Sequence, residues 1–333
     1  MHPALSEWQR PEDLKKLIPP VRPVCAKGSI DRYGFTYLLA DICGLKKPRR
    51  TFSEWLHGWA WDDQPTEETL AVGNLHRSVP VVVRNNLEYE ALKAAGFKKV
   101  FIGGLPFCYL GNQHLVRNDH ALLAIPPHSA ESERLNDSQI EYFDYLEAIK
   151  SDFDGVYVSI FHLDWGGALH KSAEKRGLNV VLGARPDDAN SLSRTRSLLD
   201  AFKFVTSNTM GSHFVYALYA GCRFSFSGPL YSYNEEVFLG NGNPNNHSLS
   251  RVERLMEVHS ENYLRSRFDR FFLDHPRDGR FDIALGRSEI GHSNMLNRNR
   301  IIEAVGWTVY GQMHGYLCGA INRAQRLIAS YRE

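Results

Sequence analysis

Three groups of residues in this chain have the types and spacing to do chemistry. The first is Thr206-Ser207-Asn208-Thr209, followed by Met210-Gly211-Ser212. An apolar run, Phe202 to Val205, leads into it, and a helical pattern from Ser212 to Ala220 leads away and stops at Gly221. A hydroxyl-rich turn between a strand and a helix suits an anion, because free backbone N–H groups and the positive end of the helix dipole meet there. In an open α/β sheet, ligands also bind at the carboxyl ends of strands. Ser207, Asn208, Thr209, Gly211 and Ser212 are therefore candidate anion ligands. The same residue types also make an ordinary helix cap. The second group is Ile125-Pro126-Pro127-His128-Ser129, at the end of an apolar run. The third is Trp55-Leu56-His57-Gly58-Trp59, with Trp61, Asp62 and Asp63 close behind. A histidine followed by glycine leaves the backbone free to turn and lets the ring point into a cleft.

Strands alternating with helices must position these residues. Val79 to Val83 is a β-branched run and reads as a buried strand. A helix from Asn86 to Ala95 follows, ending at Gly96, and Lys99 to Gly103 reads as the next strand. Strand, helix, glycine and strand within ~25 residues make a βαβ unit, which implies parallel pairing. Gly111 to Asn118 is polar and is the candidate hinge. A second series has strands at 121–125, 155–161, 178–182, 202–205 and 223–226. Its helices are expected at 138–149, 166–176, 194–202 and 212–220. Asn241 to His247 reads as a loop, 249–270 as helical, and 300–331 as one long helix. The fold class is thus α/β, with two Rossmann-like lobes, parallel sheets and a cleft between them. The expected lobes are 1–115, joined by the C-terminal helix 305–333, and 116–304.

The bulk numbers narrow the function. A chain of 333 residues is long enough for two domains, and 43% hydrophobic with 23% charged residues is a globular profile. A net charge of +1 offers no footprint for nucleic acid. The five cysteines show no C-x-x-C spacing, which argues against a zinc cluster or a disulfide framework and for a reducing compartment. The amino terminus lacks the pattern of a secretory signal, and no apolar run is long enough to span a bilayer. A cytoplasmic protein is expected, with room for peripheral contact at the inner membrane face. P-loop, dinucleotide, zincin and serine-hydrolase signatures are missing, and no D-x-D element suggests a bound metal.

Three segments together resemble GT-B-type glycosyltransferases of bacterial capsule and lipopolysaccharide assembly. The run from Leu87 to Tyr109 ends in Gly104-Leu105-Pro106-Phe107-Cys108-Tyr109, similar to the G-x-P-x-x-Y-like turn that closes the first lobe of those enzymes. Ile125 to Ser129 looks like the His/Pro motif that meets the donor phosphate in enzymes using CMP-activated sugars, although here the prolines precede His128. Thr206 to His213 is similar to their paired-hydroxyl motif, also a phosphate binder. Many UDP-sugar enzymes of this type carry a Glu in the following helix to hold the ribose. The segment Ser212–Ala220 has no acidic residue, which favours a CMP-linked donor over a UDP-linked one.

The resemblance implies a metal-independent glycosyltransferase acting in surface polysaccharide synthesis. Its partners would be a nucleotide-sugar donor, which is a substrate and not a cofactor, and a saccharide or lipid-linked saccharide acceptor. Loss of a phosphate leaving group requires charge neutralisation, and His128, Ser129, Ser207, Asn208, Thr209, Gly211 and Ser212 would supply it. The acceptor hydroxyl must lose a proton. A similar His-Gly element is the base in related polymer-forming enzymes, so His57 takes that role, with Asp62 or Asp63 as orienting partner or alternative base. Asp31, in Ser29 to Gly34, is a further catalytic candidate. His162, Asp164 and Asp187 follow strands and are candidate contacts to the donor sugar or base. The tryptophans at 55, 59 and 61 either stack on sugar faces or simply pack. An epimerase or polyol-phosphate transferase on the same scaffold, and a non-catalytic saccharide- or nucleotide-binding module, are the alternative readings. Oligomeric state is left open.

Overall fold

The computed structural model describes residues 11–25, 28–111, 117–128, 138–233, 235, 238 and 249–317. Ser129, the Asn241–His247 loop, the middle of the expected hinge and the chain beyond 317 lie outside them.

After α1 (Pro11–Leu17), a 3-10 turn (Ser29–Gly34) leads into α2 (Phe35–Ile42). Three short strands follow: β1 (Glu54–Trp55), β2 (Val81–Val83) and β3 (Val100–Ile102). They form a parallel sheet in the order β1-β2-β3. Between β2 and β3 runs α3 (Asn86–Ala94), where the Asn85 side chain caps the Glu88 N–H. The left-handed Gly96 (φ +86°) then turns the chain towards β3.

The second sheet holds β4 (Asn118–Ala124), β5 (Gly155–Ile160), β6 (Asn179–Leu182), β7 (Phe202–Ser207) and β8 (Arg223–Phe226). Its crossovers are α4 (Ser138–Ala148), α5 (Ala168–Lys175), α6 (Ser191–Ala201) and α7 (Ser212–Ala220). Every neighbouring pair is parallel, in the order β6-β5-β4-β7-β8. The chain builds outward from β4 to β6, then returns to lay β7 on the opposite side of β4. The topological switch point therefore lies between β4 and β7, where ligands of such sheets bind.

The remaining helices are α8 (Leu249–His259), α9 (Glu261–Phe268), α10 (Ile283–Glu289) and α11 (Arg298–Ala304). The apolar pattern after residue 300 predicts one long helix, but the chain breaks it. Gly306 takes φ +74°, and the buried Trp307 turns back to hydrogen-bond the Arg49 carbonyl at 3.1 Å. Helix resumes over 309–317.

One apolar core runs from the small sheet into the large one. It includes Trp55, Trp59 and Phe107 on one side and Leu123, Phe214 and Tyr216 on the other. Phe107 and Tyr216 stack nearly parallel, with ring centroids 4.1 Å apart. Trp55 is fully buried and Trp59 is 3% exposed. Of the two readings left open for these tryptophans, packing is the one they follow: edge contacts to Phe35, Tyr109 and Phe268 occupy them.

Gly34 joins the amino-terminal segment to the mouth of the large sheet. It has φ +76°, and a Cβ placed there would sit 2.1 Å from the Ala189 carbonyl oxygen. Gly34→Ala should therefore cost roughly 2–4 kcal/mol, from left-handed strain plus a backbone clash. Urea unfolding reads this directly. A loss below about 0.5 kcal/mol, the usual range for an unconstrained surface change, would mean that the two segments do not touch.

Candidate functional site

The carboxyl ends of β4 and β7 are laced together before they part. Ile125 N–H donates to the Thr206 carbonyl at 2.9 Å, and Ser207 Oγ–H donates to the Ile125 carbonyl at 2.6 Å. Thr206 and Ser207 lie inside the strand, not in a turn after it. Thr206 Oγ1–H donates to the Ser225 carbonyl at 3.1 Å. Ser207 Oγ also accepts the Thr209 N–H at 3.2 Å. These buried hydroxyls are spent on the protein's own backbone, as buried polar groups must be. The hydroxyl-rich mouth read from the sequence is narrower than expected.

Beyond Ser207 the chain turns through Asn208, Thr209 and Met210. Thr209 Oγ1 lies 2.9 Å from the Tyr233 hydroxyl. Gly211 is the N-cap of α7, and no side chain caps the helix. His213, in the first turn, hydrogen-bonds the Thr209 carbonyl at 3.1 Å through Nε2. Burial, with a small contribution from His128, pushes His213 down to about 4 against the opposing Thr209 hydrogen bond.

The His57-Gly58-Trp59 turn, which follows β1 of the small sheet, docks on this helix terminus. Trp59 N–H donates to Ser212 Oγ at 2.9 Å, and Tyr216 O–H donates to the His57 carbonyl at 3.0 Å. Trp59 Nε1–H is held by Glu289 at 2.8 Å. Arg84, which pairs with Glu88, also reaches Glu289 at 3.3 Å. On the other side, the Tyr219 hydroxyl of α7 lies 3.1 Å from His292 Nδ1, so the polar segment 286–294 is a bracket between the two sheets. His57 itself is held neutral: burial and, less strongly, the Arg32 guanidinium lower it to about 4 against an opposing hydrogen bond with the Trp55 backbone.

Sequence reasoning missed Arg32, Tyr33, His213 and Tyr216. Tyr33 sits at φ +60°, rare for a bulky residue, and its N–H donates to the Pro186 carbonyl at 2.9 Å. Its ring packs 5.5 Å from His57. The neighbouring candidate, Asp31, accepts the Gly28 N–H at 3.1 Å within its own turn.

Other expected residues are distributed as follows. His128 is exposed beyond β4 and stacks on Phe161 at 4.2 Å. His162 follows β5, and its pKa is lowered by burial and by Arg185, with Asp187 opposing. Asp187 follows β6 and forms a two-pronged ion pair with Arg185 at 2.7 and 3.0 Å. Asp164 is buried beyond β5. Asp62 and Asp63 turn away to α8: Arg254 bonds both carboxylates, and Tyr263 O–H donates to Asp63 at 3.0 Å. An orienting role towards His57 is not what this geometry provides. No signal in the sequence could have shown a partner so distant in the chain.

The arrangement gathers a neutral imidazole, an uncapped helix terminus and an exposed second imidazole at the switch point. It can bind an anion and accept a proton beside it. Among the described residues, no group of three or more His, Cys, Asp or Glu side chains could hold a metal ion. Among them, too, no helix is long and apolar enough to cross a membrane.

No family model and no curated protein matches the chain. One similar solved structure is the TarM G117R mutant of S. aureus in complex with fondaparinux, alpha-GlcNAc-glycerol and UDP. It is 13% identical over 72% of this chain and 43% of TarM, with a TM-score of 0.28. This chain thus spans less than half the length of TarM, and at that score the likeness carries no weight for function.

Proposed function

We propose that this protein is a glycosyltransferase that moves a sugar from a nucleotide-activated donor to a saccharide acceptor. One observation carries the reading: the His57-Gly58-Trp59 turn of the small sheet is hydrogen-bonded to the amino terminus of α7, at the switch point of the large sheet. A transferase of this kind needs a proton acceptor facing a place for the leaving phosphate. In our reading the N–H groups opening α7, Thr209 and the exposed His128 hold that phosphate and stabilise the charge that develops on it. His57 takes the acceptor's proton. Residues 1–115 with 305–333 present the acceptor, and 116–304 bind the donor. Surface polysaccharide synthesis is the setting we favour, because the segments at 87–109, 125–129 and 206–213 resemble enzymes of that pathway.

Thermal denaturation with CMP, CDP, UDP, GDP and their sugars tests the proposal. A ligand at 100 times its Kd adds about 2.7 kcal/mol to the folded state, which raises the midpoint by several degrees. At least one nucleotide should do so, and its sugar should be consumed when saccharide acceptors are supplied. If none of them shifts the midpoint, the transferase reading fails.

A further inference from the structure

Beside the β7 turn, away from His57, lies a cavity of about 270 Å³. Asn208, Thr209 and Met210 form one wall, and α8, α9 and the segment after β8 form the others. We infer that this cavity holds a single uncharged sugar ring, an inference that rests on the transferase reading and names the class of donor sugar.

Besides the hydroxyls of its Ser, Thr and Tyr residues, the wall holds two notable acceptors. Asn208 is 1% exposed; its amide N–H donates to the Pro229 carbonyl at 3.1 Å, while its Oδ1 has no partner among the described residues. An unsatisfied buried acceptor is costly, and a ligand hydroxyl would relieve it. His259 lines the same space. Its Nδ1 is 2.7 Å from the Leu255 carbonyl, so that nitrogen carries the proton and Nε2 is left as an acceptor. The Glu261 carboxylate adds acceptor capacity at the rim, its charge balanced by Arg265 at 2.6 Å. Among the described residues, no lysine or arginine lines the cavity.

The rest of the wall is aromatic or apolar. Tyr231 and Tyr233 meet edge to face at 4.8 Å, and Tyr233 also packs on His259 at 4.8 Å. Rings like these take the C–H faces of a sugar. The volume lies below that of a pocket for a drug-sized molecule, so it suits one ring and not a whole nucleotide. A phosphate or a sugar carboxylate would find the nearest guanidinium, that of Arg265, already paired with Glu261. A neutral hexose, which offers several hydroxyl donors and two apolar faces, satisfies every feature. This sets the cavity against the acidic CMP-linked sugar that the sequence favoured.

Calorimetric titration of the full chain tests the inference. The probes are UDP, GDP and CMP, each beside a sugar form: UDP-glucose, UDP-N-acetylglucosamine, GDP-mannose and CMP-sialic acid. The variants are Met256→Trp and Ser232→Trp, which fill the cavity from α8 and from the exposed segment after β8. Wild type should bind at least one nucleotide-hexose about tenfold more tightly than its parent nucleotide and gain nothing from sialic acid. Either folded variant should erase that gain and leave the nucleotide within twofold of wild type. The inference is overturned if nucleotide affinity falls with the sugar gain, which would place the base in the cavity. It is also overturned if neither affinity moves, or if the acidic sugar gains as much as the neutral one. If the wild type binds none of the probes, the transferase reading itself falls, and that pattern cannot be confused with the others.

Discussion

His57→Ala should lower turnover by ~10²–10⁴-fold, the usual contribution of a positioned general base, and leave nucleotide affinity within about twofold. The separation is expected because the ring belongs to the small sheet, while the anion-binding groups belong to the large one. The pH profiles should carry a second signature. In the free protein, burial and Arg32 hold His57 down to about 4. The acid limb of kcat/KM assigned to this residue therefore lies far below the ordinary histidine value near 6.5. A bound phosphate at the α7 terminus places negative charge beside the ring and raises its pKa. The acid limb of kcat should then lie at higher pH than that of kcat/KM, and both should vanish in His57→Ala. A variant that keeps full turnover would remove His57 from the chemistry. One that loses turnover and nucleotide binding equally would make it a structural residue.

Acid should begin to destabilise this protein before its carboxylates titrate. His57, His213 and His259 are each pushed down to about 4 by burial. Above pH 6.5 these rings are neutral in both the folded and the unfolded chain and make no difference to stability. Between about 6.5 and 4 the unfolded chain takes up a proton on each, and the folded chain does not. Stability therefore falls as pH falls, by up to about 1.4 kcal/mol per pH unit for each ring. Even if partial solvent access halves the total, the loss is on the order of 5 kcal/mol, comparable with the whole stability of many domains. Urea midpoints at pH 7.5, 6.0 and 5.0 measure it. His259→Phe, which cannot take up a proton in either state, should make the dependence shallower. A midpoint that holds steady from 7.5 to 5.0 would show that these imidazoles are not sequestered.

Most strands and crossover helices of both sheets were legible because their signals are local. β-branched runs such as 79–83, glycine stops such as Gly96 and Gly221, and a cap such as Asn85 each act within a few residues. The placement of His57, His128 and the β7 turn near one mouth followed from the same alternation. What the sequence hid depends on contacts between distant segments. Thr206 and Ser207 look like turn residues, yet carbonyls at 225 and 125 let them sit inside a strand. Asp62 and Asp63 look like acid–base groups until Arg254 arrives from α8. The two-residue β1 carries too short a pattern to be recognised, and a single left-handed glycine at 306 interrupts an otherwise unbroken helical periodicity. Tyr33 is in a conformation that its residue type argues against, held by its bond to Pro186.

The face-to-face seating of Phe107 on Tyr216, continuous with the tryptophans behind it, bears on how such a protein can change over generations. Its halves are not interchangeable cassettes. A graft of a foreign large-sheet half that lacks a matching ring at 216 would leave Phe107 without its stacking partner. New substrate preferences must then accumulate one loop residue at a time, around a joint that stays fixed.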